Sequence, residues 1–238
     1  MKKAATHIGI TIVVVGLMIA SIIYLMSNSL FTVTRFGTNY LNRVFSYQVT
    51  TLALSLVIIL IIALLTRFQS LRLLSVTRID GEVHPEPWIG ISTRNKDTWK
   101  TLGRNMAIVI SIVTAIAIYF QVYRNGVIQS LTLGSFLLIL VYALTNSFVE
   151  EVTFRHTFAS IVEYHNLNPY LSKALSALIF GSVHYLGTPG KIPGVLLAGF
   201  LGWFLSKSIH ETKGFFWAWL IHFLQDVIIM TALFLTLP

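Results

Sequence analysis

Long uncharged apolar runs alternate along the chain with short polar intervals. Runs at 8–26, 47–66, 106–123, 134–162, 171–187, 192–208 and 214–236 each approach or exceed the roughly 20 apolar residues that carry a helix across a hydrocarbon core. They predict an all-α polytopic membrane helix bundle with about seven transmembrane helices. It forms a single membrane domain, 1–238, in which 1–126 supplies accessory helices and a cytoplasmic loop and 127–238 a helical core. The first run follows Met-Lys-Lys, is longer than the h-region of a cleaved signal and has no small-residue cleavage site after it, so it reads as an uncleaved anchor. Asp80-Gly81 and Pro85-Glu-Pro87 predict turns in the long loop, a connector. Trp88, Trp99 and the cluster Phe215, Phe216, Trp217 and Trp219 are expected at the level of the lipid headgroups. Gly194, Ala198 and Gly202, every fourth residue, predict a close helix contact.

Three polar interruptions break this pattern. Glu150, Glu151 and Arg155 fall inside the fourth run, and Phe180/His184 and His222/Asp226 each place two residues four apart on one helical face. Ionisable side chains at such depth are costly and mark functional positions by default. Glu151 and Arg155 stand in the favourable order for an i, i+4 ion pair. Glu150, about 100° round the helix, has no local partner and is the candidate general base. The turn near Leu167 lies 17 residues from both Glu150 and His184, which predicts that the two side chains share one height in an antiparallel hairpin. An interhelical hydrogen-bonded acid that only fixes packing would explain Glu150 alone. Four such residues, Glu150, His184, His222 and Asp226, spread over three helices argue for chemistry. His7, His84, His156, His165 and His210 read as solvated, and Phe148 and Phe180 as packing residues.

Composition narrows the chemistry. The chain is 55% hydrophobic and 11% charged, against about 25% charged residues in ordinary soluble domains. It has no cysteine, which removes disulfides, thiol nucleophiles and thiolate-bound metals. The net charge of +8 resides in cations between apolar runs and not on one basic face, so it reads as an orientation signal and no nucleic-acid partner is expected. Arg67, Arg72, Arg78, Arg94, Lys96, Lys100 and Arg104 mark their loop as cytoplasmic along with the N-terminus, an odd number of spans then puts Pro238 outside, and Lys173, Lys207 and Lys213 count as further orientation charges on the inner side. No H-E-x-x-H helix, phosphate loop, G-x-S-x-G elbow or bundle Glu-x-x-His pair occurs. Water activation fits these side chains better than a serine nucleophile.

Taken together, Glu150-Glu151-x-x-x-Arg155, Phe180-x-x-x-His184 and His222-x-x-x-Asp226 resemble the motifs of the CPBP family, the CAAX prenyl endopeptidase and bacteriocin-processing group also called Abi. The resemblance covers about 134–236. It implies hydrolysis of a peptide bond in a membrane-associated peptide or protein, with Glu150 and His184 activating water, His222 and residue 226 stabilising the oxyanion, and Glu151 and Arg155 in support. The prenyl endopeptidases carry Asn where this chain has Asp226, and an ionised carboxylate only accepts hydrogen bonds. Asp226 must therefore be protonated, orient His222 or help to bind a metal. A metal-free site is the preferred expectation, with zinc on these oxygen and nitrogen ligands as the alternative. Other functions in view are an immunity or regulatory protein acting by partner binding, and a proton-coupled transporter, for which no repeat symmetry is found. The family's bacterial branch implies a multi-pass protein of a bacterial plasma membrane.

Overall fold

The computed structural model describes residues 2–92, 97–125, 128 and 130–236, so Arg94, Lys96 and Pro238 of the charge argument lie outside the described residues. Helix accounts for 79% of the described residues. The helices are α1 (Lys2–Ser27), α2 (Asn39–Leu65), α3 (Trp99–Gln121), α4 (Leu133–Glu151), α5 (Thr157–Tyr164), α6 (Tyr170–Val183), α7 (Lys191–Thr212) and α8 (Phe216–Thr236). Among the described residues six stretches are long and apolar enough to cross a membrane, with α4 and α5 forming one continuous rod, Leu133–Tyr164. The expected span at 171–187 is shorter than the others. α6 has 14 residues, about 21 Å of helix. It ends where His184 Nδ1 turns back 2.9 Å from Phe180 O, ahead of Gly187 and Pro189.

Contacts between chain ends and loops sort the helix termini. His165 Nε2 lies 3.1 Å from His7 Nδ1, Arg78 donates to Lys213 O at 3.2 Å, and Trp217 Nε1 donates to Ile79 O at 2.7 Å. The start of α1, the segment after α2, the end of α5 and the α7–α8 turn therefore share one end of the bundle, the loop end. Gln121 at the end of α3 accepts from Gly190 N before α7 at 3.3 Å, which joins the opposite ends.

The α4–α5 rod contains a widened π turn over Val152–His156, in which Thr157 N pairs with Val152 O five residues back. Such a turn disturbs the ordinary ladder, and carbonyls inside a bilayer have no water to fall back on. Phe154 O accepts instead from Ser176 Oγ of α6 at 2.7 Å, and Thr153 O from Thr157 Oγ1 at 2.6 Å. The π turn is thereby locked to the neighbouring helix. α7 closes against α6 at its small residues: a Cβ on Gly202 would stand 2.6 Å from Ser176 O, and one on Gly181 2.9 Å from Val195 O.

The long loop is clamped across the loop end. Glu86 and Ile91 exchange backbone hydrogen bonds of 2.9 and 3.2 Å, and Glu86 meets Lys173 at 3.1 Å and Lys207 at 3.7 Å. Lys207 also pairs with Glu211, whose other oxygen accepts from Trp99 Nε1 at 2.8 Å. Burial alone would push the Glu86 carboxyl up, but hydrogen bonds from Lys173 and Trp88 with the charges of Lys173 and Lys207 hold it below the usual glutamate range. Several expectations are corrected here. Trp99 is fully buried, and Phe215 and Trp217 belong to the core, not to a headgroup belt, because their partners are Glu211, Ile79 and the close-lying Gly103. Lys173 and Lys207 are buried ion-pair members, not solvated orientation signals. His156 is buried with Nε2 3.0 Å from Ser70 O, His210 is buried against Ser172 Oγ, and His7 and His165 pair with each other. Among the five histidines expected in solvent, His84 keeps a mainly exposed side chain, 69%.

Candidate active site

Side chains from α2, α4, the π turn, α6 and α8 converge inside the bundle. Asn146 and Glu150, four apart on α4, lie on one face, and Asn146 Nδ2 donates to Glu150 Oε1 at 3.0 Å and to Asp226 Oδ2 at 3.1 Å. Each amide hydrogen thus holds one carboxylate. Gln48 Nε2 on α2 donates to Asn146 Oδ1 at 3.3 Å, which fixes the amide's orientation. Glu150 is not the unpartnered acid expected from local spacing.

Glu151 is the more deeply buried of the two acids. Its Oε1 stands 3.1 Å from Arg155 and 2.6 Å from His222 Nδ1, so the ion pair expected from spacing forms even though Arg155 sits in the π turn. Both side chains are fully buried. The guanidinium carbon also lies 3.7 Å above the Phe180 ring, a cation–π contact that assists a charge far from water. A carboxylate only accepts, so His222 carries its proton on Nδ1 and turns Nε2 towards Glu150 Oε2 at 3.5 Å and Asp226 Oδ1 at 3.7 Å. Three acceptors around one point repel unless a proton lies between them. The arrangement can therefore hold and pass a proton at His222 Nε2.

His184 joins through Phe180, whose ring centroid is 4.2 Å from the His184 ring and 5.7 Å from that of His222. With Nδ1 donating to Phe180 O, a neutral His184 presents an acceptor at Nε2. Among the described residues no hydrogen bond joins His184 to Glu150. Phe180 is buried, as expected of a packing residue, and so is the contact of Phe148 with Phe215 and Trp219 aromatic packing. Of the three acids, Glu150 has the most accessible side chain, 17% against 8% for Asp226 and 0% for Glu151.

A zinc site needs donors about 2.0–2.2 Å from a common point. Among the described residues no group of three or more His, Asp or Glu side chains is arranged to hold a metal ion. Asn146 and Gln48 were missed in the sequence, where uncharged amides hardly interrupt an apolar run. The spacing of Asn146 four residues before Glu150 was the available signal.

Residues 132–228 match the family model described as Type II CAAX prenyl endopeptidase Rce1-like. The matched stretch is similar to an Rce1-like domain, which is consistent with the CPBP resemblance, and it contains all seven motif residues as well as Asn146. Searches among curated proteins and among solved structures returned no match.

Proposed function

We propose that the chain is an intramembrane endopeptidase that cleaves a membrane-associated peptide or protein with a water molecule activated by Glu150. The observation that carries this reading is the setting of Glu150: the most accessible of three carboxylates, oriented by Asn146 and 3.5 Å from His222 Nε2. In the proposed reaction Glu150 takes a proton as water attacks the scissile carbonyl. The oxyanion accepts from a protonated His222 Nε2, and the imidazolium is supported through Nδ1 by Glu151, itself held by Arg155, as a buried acid supports histidine in hydrolytic triads. Collapse of the intermediate breaks the carbon–nitrogen bond, and Glu150 returns its proton to the leaving amine. His184 supplies a second acceptor for the water, and Asp226 positions Asn146 and His222.

The Rce1-like match supports the reaction class. α4–α8 make up the catalytic core on this reading, with α1–α3 as accessory helices. The cations of the loop end favour a cytoplasmic side for that end, and so a multi-pass protein of the cell membrane with its N-terminus inside. The test is Glu150→Gln, which keeps size and an acceptor for Asn146 but removes the base. New peptide termini in membranes of cells making the parent should fall by about 10²–10⁴-fold with the variant at equal amounts of folded protein. Undiminished function with Glu150→Gln and His184→Ala together would replace the protease by an immunity or regulatory protein that acts through partner binding.

A further inference from the structure

At the loop end, away from the carboxylate cluster, the segment after α2 meets α5 and the α7–α8 turn around a cavity of about 180 Å³. At about 30 Å³ per water this holds a phosphate group and its remaining hydration. Its wall carries three cations, Arg72, Arg78 and Lys213, and one acid, Glu163. Lys213 is 2.6 Å from Glu163, and Arg78 donates to Lys213 O at 3.2 Å. Arg72 has no ion-pair partner among the described residues, which leaves an excess of positive charge at the mouth.

The deeper wall supplies a second, independent observation. Ser70 and Ser160, each 2% exposed, line the same cavity, and neither hydroxyl has a hydrogen-bond partner. A buried hydroxyl without a partner costs about 1–3 kcal/mol, and two of them on residues that line one basic cavity favour a ligand rich in acceptors. The frame around them is fixed: Ser70 O is held by His156 at 3.0 Å and Ser70 N by Thr66 Oγ1 at 3.2 Å. Lys213 closes the cavity from a left-handed backbone with φ 54°. Phe68 and Leu71, both exposed, flank this segment with apolar surface.

We propose that this cavity is a phosphate-binding site, with Arg72, Arg78 and Lys213 as cationic donors and Ser70 and Ser160 as hydroxyl donors, and that its ligand is the headgroup of an anionic phospholipid. Its place at the end of the bundle, beside exposed apolar side chains that can meet acyl chains, favours a lipid over a soluble ion. Two arms separate these sources. Full-length protein in a neutral detergent is titrated with short-chain phosphatidylglycerol and, separately, with inorganic phosphate, with stoichiometry read by native mass spectrometry and affinity by the thermal shift. One lipid should bind per chain, Arg72→Gln should weaken it at least tenfold, and Ser160→Ala by about two- to tenfold. The Ser160 variant only removes an unpartnered hydroxyl, so it tests the site should Arg72→Gln misfold. Phosphate that binds one per chain with the same sensitivity to both variants would keep the site and assign a soluble ligand. Absence of saturable binding in both arms, or binding that both variants leave unchanged, would overturn the proposal.

Discussion

Glu86→Gln should open the clamp at the loop end without touching the intramembrane cluster. The parent side chain is buried, 3.1 Å from Lys173 and 3.7 Å from Lys207, and it accepts from Trp88 Nε1 at 3.0 Å. Removing one member of a buried ion pair costs about 3–5 kcal/mol, and the glutamine oxygen restores about 0.5–1.5 kcal/mol as a neutral acceptor. Lys207 keeps Glu211, and Lys173 keeps its cation–π contact with Tyr170 at 3.6 Å, so the net loss is about 2–4 kcal/mol. At about 1.4 kcal/mol per tenfold, amide exchange at Glu86, Ile91 and Trp99, whose backbone hydrogen bonds close the loop, should quicken by one and a half to three orders of magnitude. The pH dependence has a definite sign. Because Glu86 is held below the usual glutamate range in the fold, its contribution is complete above the unfolded value near pH 4.3 and is lost as pH falls through the lower folded value. The parent should show an acid step in loop protection below about pH 4.3 that the Gln variant lacks. Less than a threefold change in exchange at neutral pH, or an acid step that persists in the variant, would refute this account of the clamp.

Three further outcomes are expected. Asp226→Asn should stay active and indifferent to chelators, since its oxygen still accepts from Asn146 and its amide adds a donor near His222 Nε2; an inactive variant beside a chelator-inhibited parent restored by zinc would reverse that. Gly202→Ala should lower stability by about 1–3 kcal/mol because of the approach to Ser176 O, whereas Gly9→Ala, with nothing within 4 Å, should not, as thermal melts will report. The cysteine-free chain allows single labels, and Thr77→Cys and Thr236→Cys should react from opposite sides of the membrane; labelling of both from one side would mean a miscounted pass.

The intramembrane acids and bases were legible because a charge in an apolar run is hard to explain otherwise, and the Glu151–Arg155 spacing survived even an irregular helix. What escaped the sequence depended on distant partners. His156 carries no local mark of burial, since its acceptor is the carbonyl of Ser70 on another segment. Trp99 and Trp217 have the composition of a headgroup belt, and only Glu211 and Ile79 opposite them make them core residues. Lys173 and Lys207 counted as orientation charges until Glu86 arrived from the loop. Equal spacing about Leu167 foresaw a hairpin but assumed straight helices, while the π turn and the early end of α6 alter both arms. His184 consequently communicates with the acids through Phe180.

The wide turn at 152–156 also sets a rotational phase between the two halves of its rod. Upstream, Asn146, Glu150 and Glu151 face α8; downstream, His156 and Ser160 face Ser70 and the cavity at the loop end. Were the same five residues wound as an unbroken α-helix, Glu151 and Arg155 would still stand four apart on one face. Everything beyond the turn would, however, be rotated by about 100°, carrying His156 and Ser160 off their partners. Such a chain would still cross the membrane and keep its ion pair, and its two working faces would be out of step.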